Sequence, residues 1–122
     1  AEKKLLGALL RYKIRLICLA GFMKILSKKF ILKFEGKILN IHPSLLPNYK
    51  GLNTHRRVIE NKEKFTGCTV HLVNSRLDSG KIILQKKIKI LRKDNENSLA
   101  KKVLKHEHQL YPRAIVKFLS SR

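Results

Sequence analysis

Ile14-Arg15-Leu16-Ile17-Cys18-Leu19-Ala20 is a nearly continuous apolar run that stops at Gly21. A strand buried on both faces of a parallel sheet has this pattern. Ile38-Leu39-Asn40-Ile41-His42 is a second apolar strand, interrupted by two polar residues toward its C-terminal end. Residues 69–73 and 82–90 predict two more strands, the latter alternating at Ile82, Leu84, Ile88 and Ile90. Helical spacing appears at Leu5, Leu6, Leu9 and Leu10, with no cap before it. Ser27 caps a short helix to Phe34 with Gly36 as its stop, and residues 53–60 fit another. A last helix starts near Asp94 or Ser98 and carries Leu99, Val103 and Leu110 on one face. Tyr111-Pro112 is expected to break or kink it, with helix resuming to Leu119. The alternation of strands and helices predicts an α/β fold, a sheet layered with helices.

The chain of 122 residues is one domain's worth or a piece of a larger domain. The uncapped start without Met favours the piece. Hydrophobic residues make up 43%, enough for a core, so a disordered chain is excluded. No run of about 18 apolar residues marks a membrane span, and the first residues lack the pattern of a signal peptide. Cys18 and Cys68 are far apart among apolar neighbours. This excludes a disulfide scaffold or a Cys-based zinc site and fits a cytoplasmic protein with buried thiols; no metal site is expected.

Lys plus Arg number 28 against 8 Asp plus Glu, a net charge of +20. Such a charge first suggests nucleic acid. The distribution argues against it: 13 basic residues fall in 1–61 and 15 in 62–122, in runs no longer than two and with no basic tail. Lys, Ile and Asn supply 20, 12 and 7 residues, a bias that AT-rich coding would produce. General affinity for anionic ligands is the better reading.

Asn40 and His42 stand two apart at the end of a buried strand, so their side chains share a side. Ligands of open α/β sheets bind outside the carboxyl ends of strands. A neutral donor and an imidazole therefore project where a site belongs, unless they only satisfy backbone groups of the loop that follows. Pro43 holds His42 extended. Asp78, one of only two Asp, precedes Ser79-Gly80 in a short loop and reads by itself as a turn residue. Placed beside an imidazole, its carboxylate would favour the charged ring.

Asn40-Ile41-His42-Pro43-Ser44-Leu45-Leu46-Pro47, then Gly51, then Leu77-Asp78-Ser79-Gly80, strongly resembles the folate-dependent formyltransferases. Ala20-Gly21-Phe22-Met23 and Glu107-His108-Gln109-Leu110-Tyr111-Pro112 resemble one branch of them, the phosphoribosylglycinamide formyltransferases. The resemblance covers nearly the whole chain, in order. It implies a mostly parallel Rossmann-like sheet whose first strands are missing, so that 1–122 is the C-terminal portion of a formyltransferase catalytic domain. It implies transfer of a formyl group from 10-formyltetrahydrofolate to the amine of glycinamide ribonucleotide in purine biosynthesis. By the same resemblance Asn40, His42 and Asp78 are catalytic. Met23, Lys24, Ile25 and Leu26, with Asn40 and the loop Asn74, Ser75, Arg76, Leu77 and Asp78, form the folate site. Spacing alone would make Met23, Ile25 and Leu26 plain core. Pro43, His106 and Glu107 fall at the ribonucleotide. A homo-oligomer is left open.

Two departures stand out. The family binds the ribonucleotide phosphate on a Gly-rich loop at a helix N-terminus, and the six glycines here are all isolated. Lys24 stands where Arg is common, keeping the charge without the fork. Methionyl-tRNA formyltransferase shares the Ser-Leu-Leu-Pro motif but usually lacks the Pro after the His. Formyltetrahydrofolate deformylase usually has His in place of Pro43. A non-catalytic chain binding anionic partners by charge is the alternative from another class.

Overall fold

In the computed structural model, residues 17–20, 33–34 and 38–121 are described. Four strands form one sheet in chain order: β1 (Ile17–Ala20), β2 (Ile38–His42), β3 (Phe65–Leu72) and β4 (Ile82–Lys89). β1 and β2 are parallel; β2 and β3, and β3 and β4, are antiparallel. Three of the four described strands therefore share a direction and β3 is the reversed one. Helix α1 (Thr54–Glu60) lies between β2 and β3, and α2 (Glu96–Ser120) follows β4. The helical spacing at residues 5–10, the strand residues 14–16 and most of the 27–34 helix lie outside the described residues.

Period two sorts β2 and β3. Leu39, Ile41, Cys68 and Val70 join one buried cluster with Leu99, Val103, Leu110, Ala114 and Phe118 of α2. The alternate positions Asn40, His42, Thr69 and His71 carry the polar atoms. Burial pushes the Cys68 thiol up to about 12, so it packs as a small apolar group.

β3 begins four residues before its predicted start, because Gly67 breaks the apolar signal without breaking the strand. A Cβ there would lie 2.2 Å from the Lys86 carbonyl oxygen and 2.5 Å from Leu45 Cδ2. Glycine lets the loop after β2 lie directly on the sheet.

The expected break at Pro112 is absent: α2 runs continuously from Glu96 to Ser120. Proline removes one helical hydrogen bond. Leu110 on one side of it and Ala114 and Phe118 on the other are buried in the same core, and the Tyr111 hydroxyl donates to the Leu39 carbonyl at 3.0 Å. Packing outweighs the lost bond. Asn95 caps the helix in a reciprocal box with Ser98. Just before it, Asp94 accepts from Lys102 Nζ at 2.5 Å and from the Leu91 amide at 2.8 Å. The Lys102 ammonium leads in holding its carboxyl down at about 2. Neither described helix is long and apolar enough to cross a membrane.

The Ser44-Leu45-Leu46-Pro47 segment is fastened to the sheet by the Thr69 hydroxyl and the Gln85 amide. Thr69 Oγ1 donates to the Ser44 carbonyl at 2.7 Å and accepts from the Leu46 amide at 3.1 Å and Gln85 Nε2 at 3.0 Å. That exhausts what a hydroxyl offers. Gln85 Nε2 also donates to the Leu46 carbonyl at 2.8 Å. Thr69→Val leaves the buried Leu46 amide without its acceptor. The expected loss is about 1–3 kcal/mol of stability in urea unfolding; an unchanged midpoint would show that the loop is held by other contacts.

Candidate active site

The β2–β3 register sets His71 opposite Asn40 and Thr69 opposite His42. Asp78 reaches the same end of the sheet from the β3–β4 loop, its backbone left-handed at φ 47°. His42 Nδ1 lies 3.5 Å from Asp78 Oδ2, with both side chains more than nine-tenths buried. His42 Nε2 donates to the Tyr49 carbonyl at 2.8 Å. The imidazole therefore faces an oxygen on each nitrogen, an arrangement that a doubly protonated ring satisfies on both sides. Asp78 Oδ2 also accepts from the Gly51 amide at 2.8 Å. Lys50 Nζ donates to Ser79 Oγ at 3.0 Å and ties the same two loops at the surface.

His71 completes the group. Its Nδ1 donates to the Leu72 carbonyl at 3.0 Å, so Nε2 is left to accept from Asn40 Nδ2 at 3.4 Å. Burial lowers the pKa of this ring, outweighing the Leu72 carbonyl and Asp78, which act the other way. A neutral His71 thus orients the Asn40 amide. Asp78 Oδ1 is 3.9 Å from His71 Nε2, so the carboxylate stands between two imidazoles.

Asn40, His42, Pro43, Leu77, Asp78 and Glu107, all expected at the site, line one cavity of about 1330 Å³. Its apolar wall comes from Leu52, Leu104, Pro112 and Ile115. His106, expected at the ribonucleotide, is not among the lining residues; His108, two positions along α2, is. Asn74, Ser75 and Arg76 also lie off the lining, in a turn where Asn74 Oδ1 accepts from the Arg76 amide at 2.9 Å. Met23, Lys24, Ile25 and Leu26 fall outside the described residues. Four participants, His71, Tyr49, Gly51 and His55, were given no site role by the sequence, although Gly51 stands in the motif that carries the resemblance. His71 sits in an apolar run, and only the antiparallel register gives it Asn40 as partner. Tyr49 and Gly51 act through main-chain groups, which side-chain chemistry does not announce. His55 lines the cavity too, with burial lowering its pKa and its Nδ1 buried without a hydrogen-bond partner. Among the described residues no cluster of three or more His, Cys, Asp or Glu is placed to hold a metal ion.

An amide, an imidazole and a carboxylate thus converge at one end of the sheet, beside its loops. Residues 1–115 match the Formyl transferase family, and the chain belongs to that family. It is 41% identical over 121 residues to a phosphoribosylglycinamide formyltransferase of Escherichia coli (strain K12), a match covering 99% of this chain and 57% of the relative. It is 49% identical over 104 residues to the trifunctional purine biosynthetic protein adenosine-3 of Gallus gallus, covering 85% of this chain and 10% of that one. The crystal structure of a phosphoribosylglycinamide formyltransferase from Brucella melitensis superposes with a TM-score of 0.89 at 50% identity, over 96% of this chain and 60% of that one. The chain thus spans little more than half the length of the bacterial relative.

Burial raises the Glu107 carboxyl to about 7 from an ordinary value near 4.5. Between these values the folded protein binds more protons than the unfolded chain, so stability declines as pH rises from about 4.5 to about 7. Glu107→Gln is expected to flatten that decline. Urea unfolding at pH 5 and pH 8 measures it; an equal pH dependence in variant and wild type would place the titration elsewhere.

Proposed function

We propose that the chain carries the catalytic groups for transferring a formyl group from 10-formyltetrahydrofolate to the amine of glycinamide ribonucleotide, a cytoplasmic step of purine biosynthesis. The convergence of Asn40, His42 and Asp78 on one cavity carries this reading. The names of the relatives support it.

The cavity suits two ligands meeting at one polar end. Its apolar wall fits a flat ring system, and its volume exceeds what one drug-sized ligand fills. The folate side takes Leu77, Asp78 and Asn40, with Asn74, Ser75 and Arg76 shaping the loop behind them and Met23, Lys24, Ile25 and Leu26 assigned by resemblance. The ribonucleotide side takes Pro43 and Glu107, with His108 in the place expected of His106.

10-Formyltetrahydrofolate supplies the formyl carbon that the amine attacks. Asn40 Nδ2 keeps one proton for that carbonyl oxygen while its other is directed at His71. His42 supplies a second N–H donor. Both are preorganised where negative charge develops, which is worth most in a buried site. The attacking amine must lose a proton and the departing folate nitrogen must gain one. His42 gives a proton to the departing nitrogen and regains the one the amine loses, with the Asp78 carboxylate stabilising the imidazolium at either end of the cycle. The His42–Asp78 separation of 3.5 Å exceeds a full N–H···O bond, so the pair is a charge contact rather than a tight hydrogen bond.

Formyl transfer and calorimetric binding of a 5-deaza folate together test this. His42→Ala and Asp78→Asn are each expected to lower kcat by about three orders of magnitude or more, while the folate analogue still binds. Near-wild-type turnover in either variant would remove that residue from the mechanism. Folded protein that gives no heat and no competition with the analogue would reject the folate reading itself.

A further inference from the structure

The two strongest fixed contacts of the His42–Asp78 pair come from one short run of main chain. Tyr49 offers its carbonyl to His42 Nε2, and Gly51 offers its amide to Asp78 Oδ2, each at 2.8 Å. This run is conformationally improbable on its own. Tyr49, Gly51 and Asn53 all have positive φ, at 56°, 85° and 57°. Tyr49 carries a bulky side chain that the left-handed region disfavours, so the surrounding structure must hold it there, while asparagine at 53 enters that region at less cost.

Arg57 is the side chain that does so. From the second turn of α1 it sends Nη2 to the Lys50 carbonyl at 2.6 Å and Nε to the Leu52 carbonyl at 2.9 Å. These are the carbonyls on either side of Gly51. Its guanidinium lies 5.4 Å from the centroid of the Tyr49 ring, within cation–π range. The helix beneath it is anchored by the fully buried Val58. One planar fork therefore grips two peptide units, 50–51 and 52–53, and the ring that precedes them.

We infer that Arg57 is a positioning residue of the active site: its guanidinium clamps residues 49–52 so that the Tyr49 carbonyl and the Gly51 amide hold His42 and Asp78 in register. The kinetic part of this inference rests on the proposed formyl transfer; the geometric part does not. The residue touches neither reacting group. Arginine is needed for its two-pronged shape, so lysine, with the same charge at one point, does not replace it.

The test reads geometry first. In the Arg57→Ala variant, amide exchange of Gly51 is expected to speed up about tenfold or more, as befits loss of a bond to a carboxylate, while amides of β3 keep their protection. Arg57→Lys should resemble Arg57→Ala. Arg56→Ala, which removes only an exposed pairing with Glu96 at 3.6 Å, should leave Gly51 unchanged. In formyl transfer, Arg57→Ala should lower kcat about tenfold or more with KM for folate little altered, because the interaction lost is one that aligns the reacting groups. Unchanged exchange at Gly51 overturns the clamp. So does full rescue by lysine, or protection lost equally across β3, which would make Arg57 a general stability residue. If wild-type protein transfers no formyl group, the exchange measurements still decide the inference separately from the function.

Discussion

The pairing of β2 with β3 in one antiparallel register is the constraint on which the other features of the site depend. It sets Asn40 against His71 and His42 against Thr69. A slip of one residue would send every side chain of one strand to the opposite face. The polar group would then enter the helix-covered core, and Leu39 and Ile41 would enter the cavity. The hydrophobic cluster with α2 therefore enforces the catalytic geometry indirectly: burying Leu39, Ile41, Cys68 and Val70 leaves only one place for Asn40, His42, Thr69 and His71. Thr69 then fastens the loop that follows β2, and that loop carries the chain round to Tyr49.

Much of this was readable from the residues alone. Apolar runs marked β2 and β4, and the spacing of Leu99, Val103 and Leu110 marked α2, because those signals come from the same burial that forms the elements. Asn40, His42 and Asp78 were legible as candidates through strand-end position and resemblance. The start of β3 was hidden because Gly67 serves a close approach between loop and strand, a tertiary need that no local pattern encodes. A break at Pro112 is prevented for a similar reason: a local penalty is overruled by core contacts on both sides of it. His106 and His108 lie about 200° apart round α2, so only one of them can share the face of Ala100, Leu104, Glu107 and Tyr111 that lines the cavity, and that one is His108.

The electrostatics of the site follow from depth more than from net charge. Burial disfavours the charged forms of His71 and His55 and favours the protonated form of Glu107. The His42–Asp78 pair differs in having both members hydrogen-bonded by main-chain groups of a single loop.

The left-handed backbone at Asp78 has a consequence for which sequences can occupy the position. Of the residues that carry a side chain, asparagine and aspartate enter that conformation at least cost. The carboxylate is thus confined to a backbone that disfavours glutamate as well as alanine, and lengthening the side chain by one carbon would disturb the turn as well as the distance to His42. In the space of single replacements, Asp78 has one neighbour, asparagine, that alters charge while leaving shape and backbone in place. Every other substitution changes two properties together, so the position is narrow for reasons of conformation before chemistry is considered.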